Sequence, residues 1–435
     1  MFNDFHYLYQ AIVVTLFVAT IALLALERLE RHVVAAIAIA VLLLTQAISL
    51  DDFLHFVDWD VIGLILCMSV YSVILEVSGF GKWIAYRAVA RVKNPLLLLY
   101  VVILLSGVVS LVLENTITVF VFAPIAFEIA SILGVSAKEV LIGIALTAGM
   151  AGSATMVGDP PAIIVAGHYN LAFTDFFVYK SRPSMFFIVT IPMLIATALY
   201  VLQNYIHREK RDVNTARMDE GSVDKWFVLE ASLFLFLKIA LLSLRKELGI
   251  PLTLSAIVAL AGLYITRVTV HRDIECIKKS LKEGLDYKLP LFLVAIFLLS
   301  NSLKKHGVTD SIANLMMERM GENILALGVA IFIISTVLSA FIENIPVTLT
   351  LLPIVDSIAV KIGVDPLILA WGTLSGLTAG GGYTYIGSGA NVVAMHILDN
   401  KNIKTGFADF IKTALSFNIA NTVMVIVLYT SIWLR

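Results

Sequence analysis

Long apolar runs separated by short polar clusters set the pattern of this chain. An apolar stretch of about 20 residues is long enough for a helix to cross a bilayer. In the first half such stretches fall at 8–26, 32–48, 60–77, 138–167 and 184–206, and in the second at 226–244, 251–266, 290–302, 367–398 and 410–433. The pattern predicts an all-α polytopic membrane protein with about ten spanning helices. Two further runs, 95–133 and 322–360, are too long for one simple span. Each carries a polar cluster near its middle: Glu114-Asn115-Thr116 in the first and Glu343-Asn344-Ile345-Pro346 in the second. A re-entrant hairpin fits each run, with a helix in, a turn at the polar tip and a helix back. Irregular backbone at membrane depth is tolerated where protein buries it or a wet cavity adjoins it. The shorter pieces 81–93 and 308–320 are amphipathic and read as interfacial helices.

The second half repeats the first. A shift of 229 positions carries Glu114 onto Glu343, Asn115 onto Asn344, Pro124 onto Pro353, Gly134 onto Gly363, Gly143 onto Gly372 and Gly158 onto Gly387. Apolar bias produces some coincidences, but not a paired Glu-Asn at a constant distance from a later glycine. The expected organisation is a first repeat at 1–206, a cytoplasmic linker at 207–225 and a second repeat at 226–435. Lys and Arg concentrate in cytoplasmic loops. With both termini outside a plasma membrane, most of the 31 Lys and Arg residues fall inside, and the outer loop 51–60 carries only acidic charge. The first hairpin then enters from the cytoplasm and the second from outside. Such inverted repeats, with broken helices meeting at the midplane, mark secondary transporters.

Composition narrows the function classes. Of 435 residues, 59% are hydrophobic and 14% charged, against about a quarter charged in soluble domains. A net charge of -1 offers no basic patch for nucleic acid, so the expected partners are the lipid bilayer and a small ion. Cys67 and Cys276 are isolated, and the eight histidines show no paired metal spacing. No phosphate-binding loop and no Gly-x-Ser-x-Gly elbow is present. The chain therefore reads as no enzyme and needs no cofactor. Pumping would be driven by a proton or sodium gradient, or by a separate ATPase subunit. The first ten residues lack a basic n-region, so the first run is expected to remain as a helix.

Candidate chemistry gathers at the tips and at two interrupted spans. The first interruption, 149–161, contains Ser153, Thr155, Gly158, Asp159 and Pro160. The second, 378–391, contains Gly380-Gly381-Gly382, Thr384, Gly387, Ser388, Gly389 and Asn391. Relative to alanine, glycine destabilises a helix by ~1 kcal/mol and proline by ~3, so both spans should unwind locally. Unwinding frees carbonyls for a cation and helix-terminal N–H groups for an anion. The alternative is close helix packing through small residues. A charged carboxylate at mid-membrane costs at least ~2.5 kcal/mol. Glu114 and Glu343 therefore imply a proton, a bound cation or a wet cavity, unless they cap their turns. The expected site joins Glu114, Asn115, Thr116, Glu343, Asn344 and Pro346 to the two breaks. Sodium would sit at the tips, and coupling would run through Glu114, Glu343 and Asp159. Glu76 is read as an interfacial group. Glu230 and Lys238 are eight positions apart and do not form a simple pair. Glu128 and Asp356 lie in the returning arms, for packing or cavity lining.

These residues resemble a known group. The two tips, the break Gly158-Asp159-Pro160-Pro161-Ala162-Ile163-Ile164 and the break Ile386-Gly387-Ser388-Gly389-Ala390-Asn391-Val392-Val393 look like those of the ion transporter superfamily. Within it they are most similar to the branch of arsenite efflux permeases and the melanosomal P protein. The wider group includes citrate and dicarboxylate transporters and a family of sodium/proton antiporters. The resemblance implies that tips and breaks form the substrate and coupling-ion site. It also implies that the hairpin-bearing part moves as an elevator against a scaffold, often within a homodimer. Two departures stand out. Citrate-type members carry Ser-Asn-Thr at both tips, where Glu114 and Glu343 replace the serine. Ala162 stands where the branch pattern has Asn, whereas Asn391 keeps the amide in the second half.

Overall fold

Each polar tip and each glycine-rich break expected from the sequence ends one helix and begins another. The computed structural model describes residues 2–25, 29–89, 92–205 and 223–435. Most of the expected linker, 207–222, and the ends of two expected spans, Leu26 and Ile206, lie outside the described residues. Among the described residues nine helices are long and apolar enough to cross a membrane. Two of the nine, Asn115–Leu133 and Asn344–Ile362, are the helices that follow the two polar tips, the arms expected to return in the hairpins. The expected span at 32–48 is shorter than read, running as a helix from Arg31 to Leu44. It stops because Gln46 turns to a φ of 55°. The span at 367–398 is two pieces, Pro366–Gly380 and Gly389–Asn400. Several elements have no counterpart in the sequence reading: helix Leu50–Phe56, the 3-10 turn Phe173–Phe176, the short helix Arg245–Leu248, the amphipathic helix Ile274–Gly284, and a two-residue strand pair, Val178↔Pro183 and Tyr179↔Arg182.

The 229-position shift extends from residues to contacts. Helices Pro95–Ser110, Asn115–Leu133 and Ala137–Ala151 recur at Ile324–Ser339, Asn344–Ile362 and Pro366–Gly380, with both ends displaced by that amount. Their caps recur too. Asn94 and Asn323 each accept two backbone N–H bonds at a helix start, satisfying donors that have no partner inside the helix. Gly134 and Gly363 close the returning arms at φ 64° and 68°, a left-handed turn that glycine adopts without penalty. Ser110 donates to the Ala148 carbonyl at 2.9 Å, and Ser339 to the Leu377 carbonyl at 3.0 Å. The Tyr200 hydroxyl donates to the Glu139 carbonyl, and Tyr429 to that of Ile368. The two rings lie where any side chain on Gly143 or Gly372 would have to go. Repeated side-chain contacts of this kind require equivalent packing, not merely shared apolar bias.

Packing partners sort the helices into two groups. In one, each hairpin packs on the following broken helix, Met185–Tyr205 packs on Phe407–Trp433, and Gly389–Asn400 of the second half packs on Asn115–Leu133 of the first. In the other, Arg31–Leu44 packs on Lys288–Lys305, while Trp59–Ser78 meets Leu252–Thr269 and Ile274–Gly284. Lys225–Ser243 packs on Leu252–Thr269 and exposes Leu229, Leu233 and Phe236. That spacing of four and three puts them on one helical face, as expected of a surface that meets lipid.

Candidate functional site

After Ser110 the chain leaves the helix for four residues, and it re-enters at Asn115. Glu114 is thus the residue before the returning arm, and Asn115 and Thr116 lie in its first turn; Glu343 and Asn344 repeat the arrangement. Neither glutamate side chain bonds the N–H groups of its own helix, so neither caps its turn. The Glu114 carboxylate accepts from the Thr116 hydroxyl at 2.9 Å, and its backbone N–H donates to Ser72 Oγ at 3.2 Å. Glu343 Oε2 accepts from Arg31 Nη1 at 2.7 Å. Asn344 Oδ1 accepts from Ser339 Oγ at 2.7 Å. One tip is docked by hydroxyls and the other by a guanidinium.

The first break runs from Gly152 through a short 3-10 turn to Asp159. Asp159 is buried and opens helix Pro160–His168. Its Oδ1 accepts from the Ala162 N–H, and its Oδ2 accepts from the Ser153 hydroxyl, each at 3.2 Å. Asp159 therefore caps a helix, whatever else it does. The Thr155 hydroxyl donates to the Leu111 carbonyl, and Thr384 donates to the matching Ala340 carbonyl. These two bonds tie each break to its own tip. In the second break Asn391 Nδ2 donates to the Gly381 carbonyl at 2.9 Å. Asn418 and Asn421, from the last helix, donate to the carbonyls of Gly382 and Thr378. Backbone unwound by the three glycines is held by amide side chains.

Tips and breaks of both halves surround one cavity of about 330 Å³. Of the residues singled out from sequence, Glu114, Asn115, Thr116, Gly158, Asp159, Pro160, Glu343, Asn344, Gly387, Ser388 and Gly389 line it. Ser153, Thr155, Pro346, Thr384 and Asn391 do not; the first two and Thr384 brace the breaks, and Pro346 lines a small neighbouring pocket together with Glu343 and Arg31. Arg31, Met68, Ser69, Ser72 and Leu289 line the cavity without having been foreseen. Ser69 and Ser72 are three apart in an apolar span, a spacing that puts both on one helical face, a faint signal because a helix satisfies such hydroxyls with its own carbonyls.

A second, water-sized pocket of about 10 Å³ adjoins the second break, lined by Asn344, Gly381, Gly382, Asn391 and Asn418 among others. The Oδ1 atoms of Asn391 and Asn418 are buried without a hydrogen-bond partner among the described residues. Amide and backbone carbonyl oxygens are hard ligands of the kind that suit alkali or alkaline-earth cations. No group of three His, Cys, Asp or Glu among the described residues is arranged for a transition metal.

The remaining intramembrane charges stand apart from the cavity. Glu230 pairs with Arg267 and His271, and Asp356 with His168 and Tyr169. Glu128 accepts from Tyr86 at 3.3 Å. Lys238, fully buried, rests 3.0 Å from the Met68 sulfur and 4.2 Å from the Tyr71 ring centroid.

Comparison with known proteins adds a family. The family described as "Citrate transporter" matches residues 21–371 and 239–435. An uncharacterized transporter of Mycobacterium tuberculosis is 27% identical over 433 residues, covering 98% of each chain. The P protein of Homo sapiens is 21% identical over 90% of this chain and 56% of its own length. The solved structure of the YdaH transporter of Alcanivorax borkumensis, described as having an unusual topology, aligns with a TM-score of 0.60. It does so at 15% identity over 87% of this chain and 86% of that one, a likeness in fold.

Proposed function

Since the chain belongs to the citrate transporter family and is a multi-pass membrane transporter, we propose that it moves a small anion or an arsenite-like metalloid oxyacid against a proton or sodium gradient. The observation that carries this reading is the meeting of both tips and both breaks at one cavity. A site built from two halves of an inverted repeat is reached from either side of the membrane in turn. The division into a hairpin-bearing group and a surrounding group of helices supports an elevator, in which the first group moves against the second, within a homodimer in the plasma membrane with both termini outside. Coupling runs through Glu114 and Glu343, with Asp159 in reserve because its carboxylate already caps a helix. Sodium fits the amide oxygens of Asn391 and Asn418 beside the second tip.

The antiporter reading has one observation in its favour. Three carboxylates, Glu114, Asp159 and Glu343, line the cavity against one basic residue, Arg31, a balance that suits cations. Reconstitution into liposomes separates the two. With an imposed proton or sodium gradient, saturable uptake of citrate or arsenite beyond equilibrium is expected, abolished by an ionophore. Sodium/proton exchange with no uptake of either would replace the anion reading by the antiporter. Unsaturable flux that stops at equilibrium would replace both by a channel.

A further inference from the structure

Four charged side chains line the cavity: Glu114, Asp159, Glu343 and Arg31. The first two are already engaged, Glu114 by Thr116 in its own segment and by Ser69 from helix Trp59–Ser78, and Asp159 by Ser153 and Ala162. Among the described residues Glu343 is held by Arg31 alone, through a single contact from Nη1 to Oε2 at 2.7 Å. Nε and Nη2 of Arg31 have no partner among the described residues, and about half of the side chain, 48%, is exposed. The guanidinium fork is therefore only partly used. Arg31 begins the helix Arg31–Leu44, which packs on Lys288–Lys305 in the surrounding group, whereas Glu343 heads the returning arm of the second hairpin. The pair thus bridges the two groups of helices. Glu114, the counterpart tip, has no basic partner among the described residues.

We propose that Arg31 is the group that recognises the transported anion, and that Glu343 occupies it only until the anion arrives. A half-exposed, one-pronged ion pair is worth little. An oxyanion that meets the fork with two oxygens makes two charge-assisted bonds where Glu343 makes one. Such an anion displaces the glutamate. The released Glu343 is then an unpaired carboxylate in a membrane cavity, a state that calls for a proton or a metal cation. Anion binding thereby creates the demand for the coupling ion, and the same exchange unties the second tip from the scaffold. Arg31 selects a carboxylate or inorganic oxyanion over uncharged As(OH)3, the form of arsenite at neutral pH. This inference rests on the transporter reading above.

The test uses the purified full chain in detergent, in a sodium-free buffer, with citrate and sulfate as probes and arsenite for comparison, read by thermal shift and calorimetry. Wild type is expected to bind citrate or sulfate. Arg31→Gln should weaken that binding about tenfold or more, the loss expected for one hydrogen-bonded charge, and Arg31→Lys should recover part of it. Glu343→Gln should tighten anion binding severalfold, because the internal competitor is gone, and should remove its dependence on added sodium. A gain of affinity cannot arise from misfolding. Arg31→Gln with unchanged affinity, or Glu343→Gln that weakens binding as much as Arg31→Gln, would overturn the proposal and make the pair a structural clamp. Wild type that binds neither citrate nor sulfate would also overturn it. The transporter reading fails separately, if wild-type liposomes show no gradient-driven uptake.

Discussion

Glu114→Gln and Glu343→Gln are each expected to abolish gradient-driven accumulation while leaving exchange of substrate across the membrane. The amide keeps the size of the side chain and, at position 114, an oxygen to accept from Thr116. It loses the charge, and with it the reason for a proton or sodium ion to bind. A tenfold cation gradient supplies about 1.4 kcal/mol for each ion moved, enough for about tenfold accumulation at one ion per anion. Wild type should approach that ratio, and either variant should fall to about one. Counterflow, which needs no gradient, should persist. Uptake that stays concentrative in both variants, with unchanged pH and sodium dependence, would remove the glutamates from coupling. Because neither side chain caps its helix, a loss of coupling is not expected to come with a loss of folding.

The second large effect is expected at the breaks. A methyl group on Gly387 would lie 2.5 Å from the Ser339 carbonyl and 2.9 Å from that of Gly381. On Gly158 it would collide with the Gly152 carbonyl. In both cases the obstacle is backbone, which cannot rotate away. Overpacking of this kind costs typically ~1–3 kcal/mol, and here the strain falls on the segments that line the cavity. Gly158→Ala and Gly387→Ala should each lower the melting temperature in detergent by several degrees and reduce transport at least tenfold. Effects are expected in both halves because the contact of Gly158 with the Gly152 carbonyl recurs, at the same shift, as that of Gly387 with the Gly381 carbonyl. Gly406→Ala is the control: it also sits at a helix end, with an ordinary φ of -79° and no atom nearer than 4.0 Å to the added carbon, and it should leave transport intact. Wild-type transport in both break variants would mean that the glycines serve only helix packing.

Much of the site was legible because membrane helices tolerate few anomalies. A carboxylate in an apolar run, three consecutive glycines and an Asp-Pro-Pro triplet each conflict with a continuous span. The fold resolved each conflict at the expected place: a tip at Glu114, a tip at Glu343 and breaks before Pro160 and Gly389. What stayed illegible did so for several reasons. Ser69 and Ser72 are small hydroxyls, which a helix satisfies with its own carbonyls, so their presence in a span carries little warning. Arg31 sits at a span end, where positive charge is a topological signal, and that reading masked its place in the cavity. Asn418 and Asn421 carry a readable signal. Two amides three apart in an apolar helix face one side, and they do hold the second break. Helix Ile274–Gly284 was hidden for a different reason: its charges merge with the basic loop around it.

Thr116 and Gly389 offer the most direct test, because they join the first tip to the second break. A carbon added at Gly389 would lie 3.0 Å from Thr116 Cγ2, close enough for a disulfide between paired cysteines. With Cys67 and Cys276 replaced, the variant Thr116→Cys/Gly389→Cys should cross-link on mild oxidation. Both positions line the cavity and lie in the same group of helices, so the bond obstructs the site and not the movement. Uptake should be lost and then regained on reduction. Efficient cross-linking with uptake unchanged, or no cross-link at all in a folded variant, would contradict a transport site shared between the two halves.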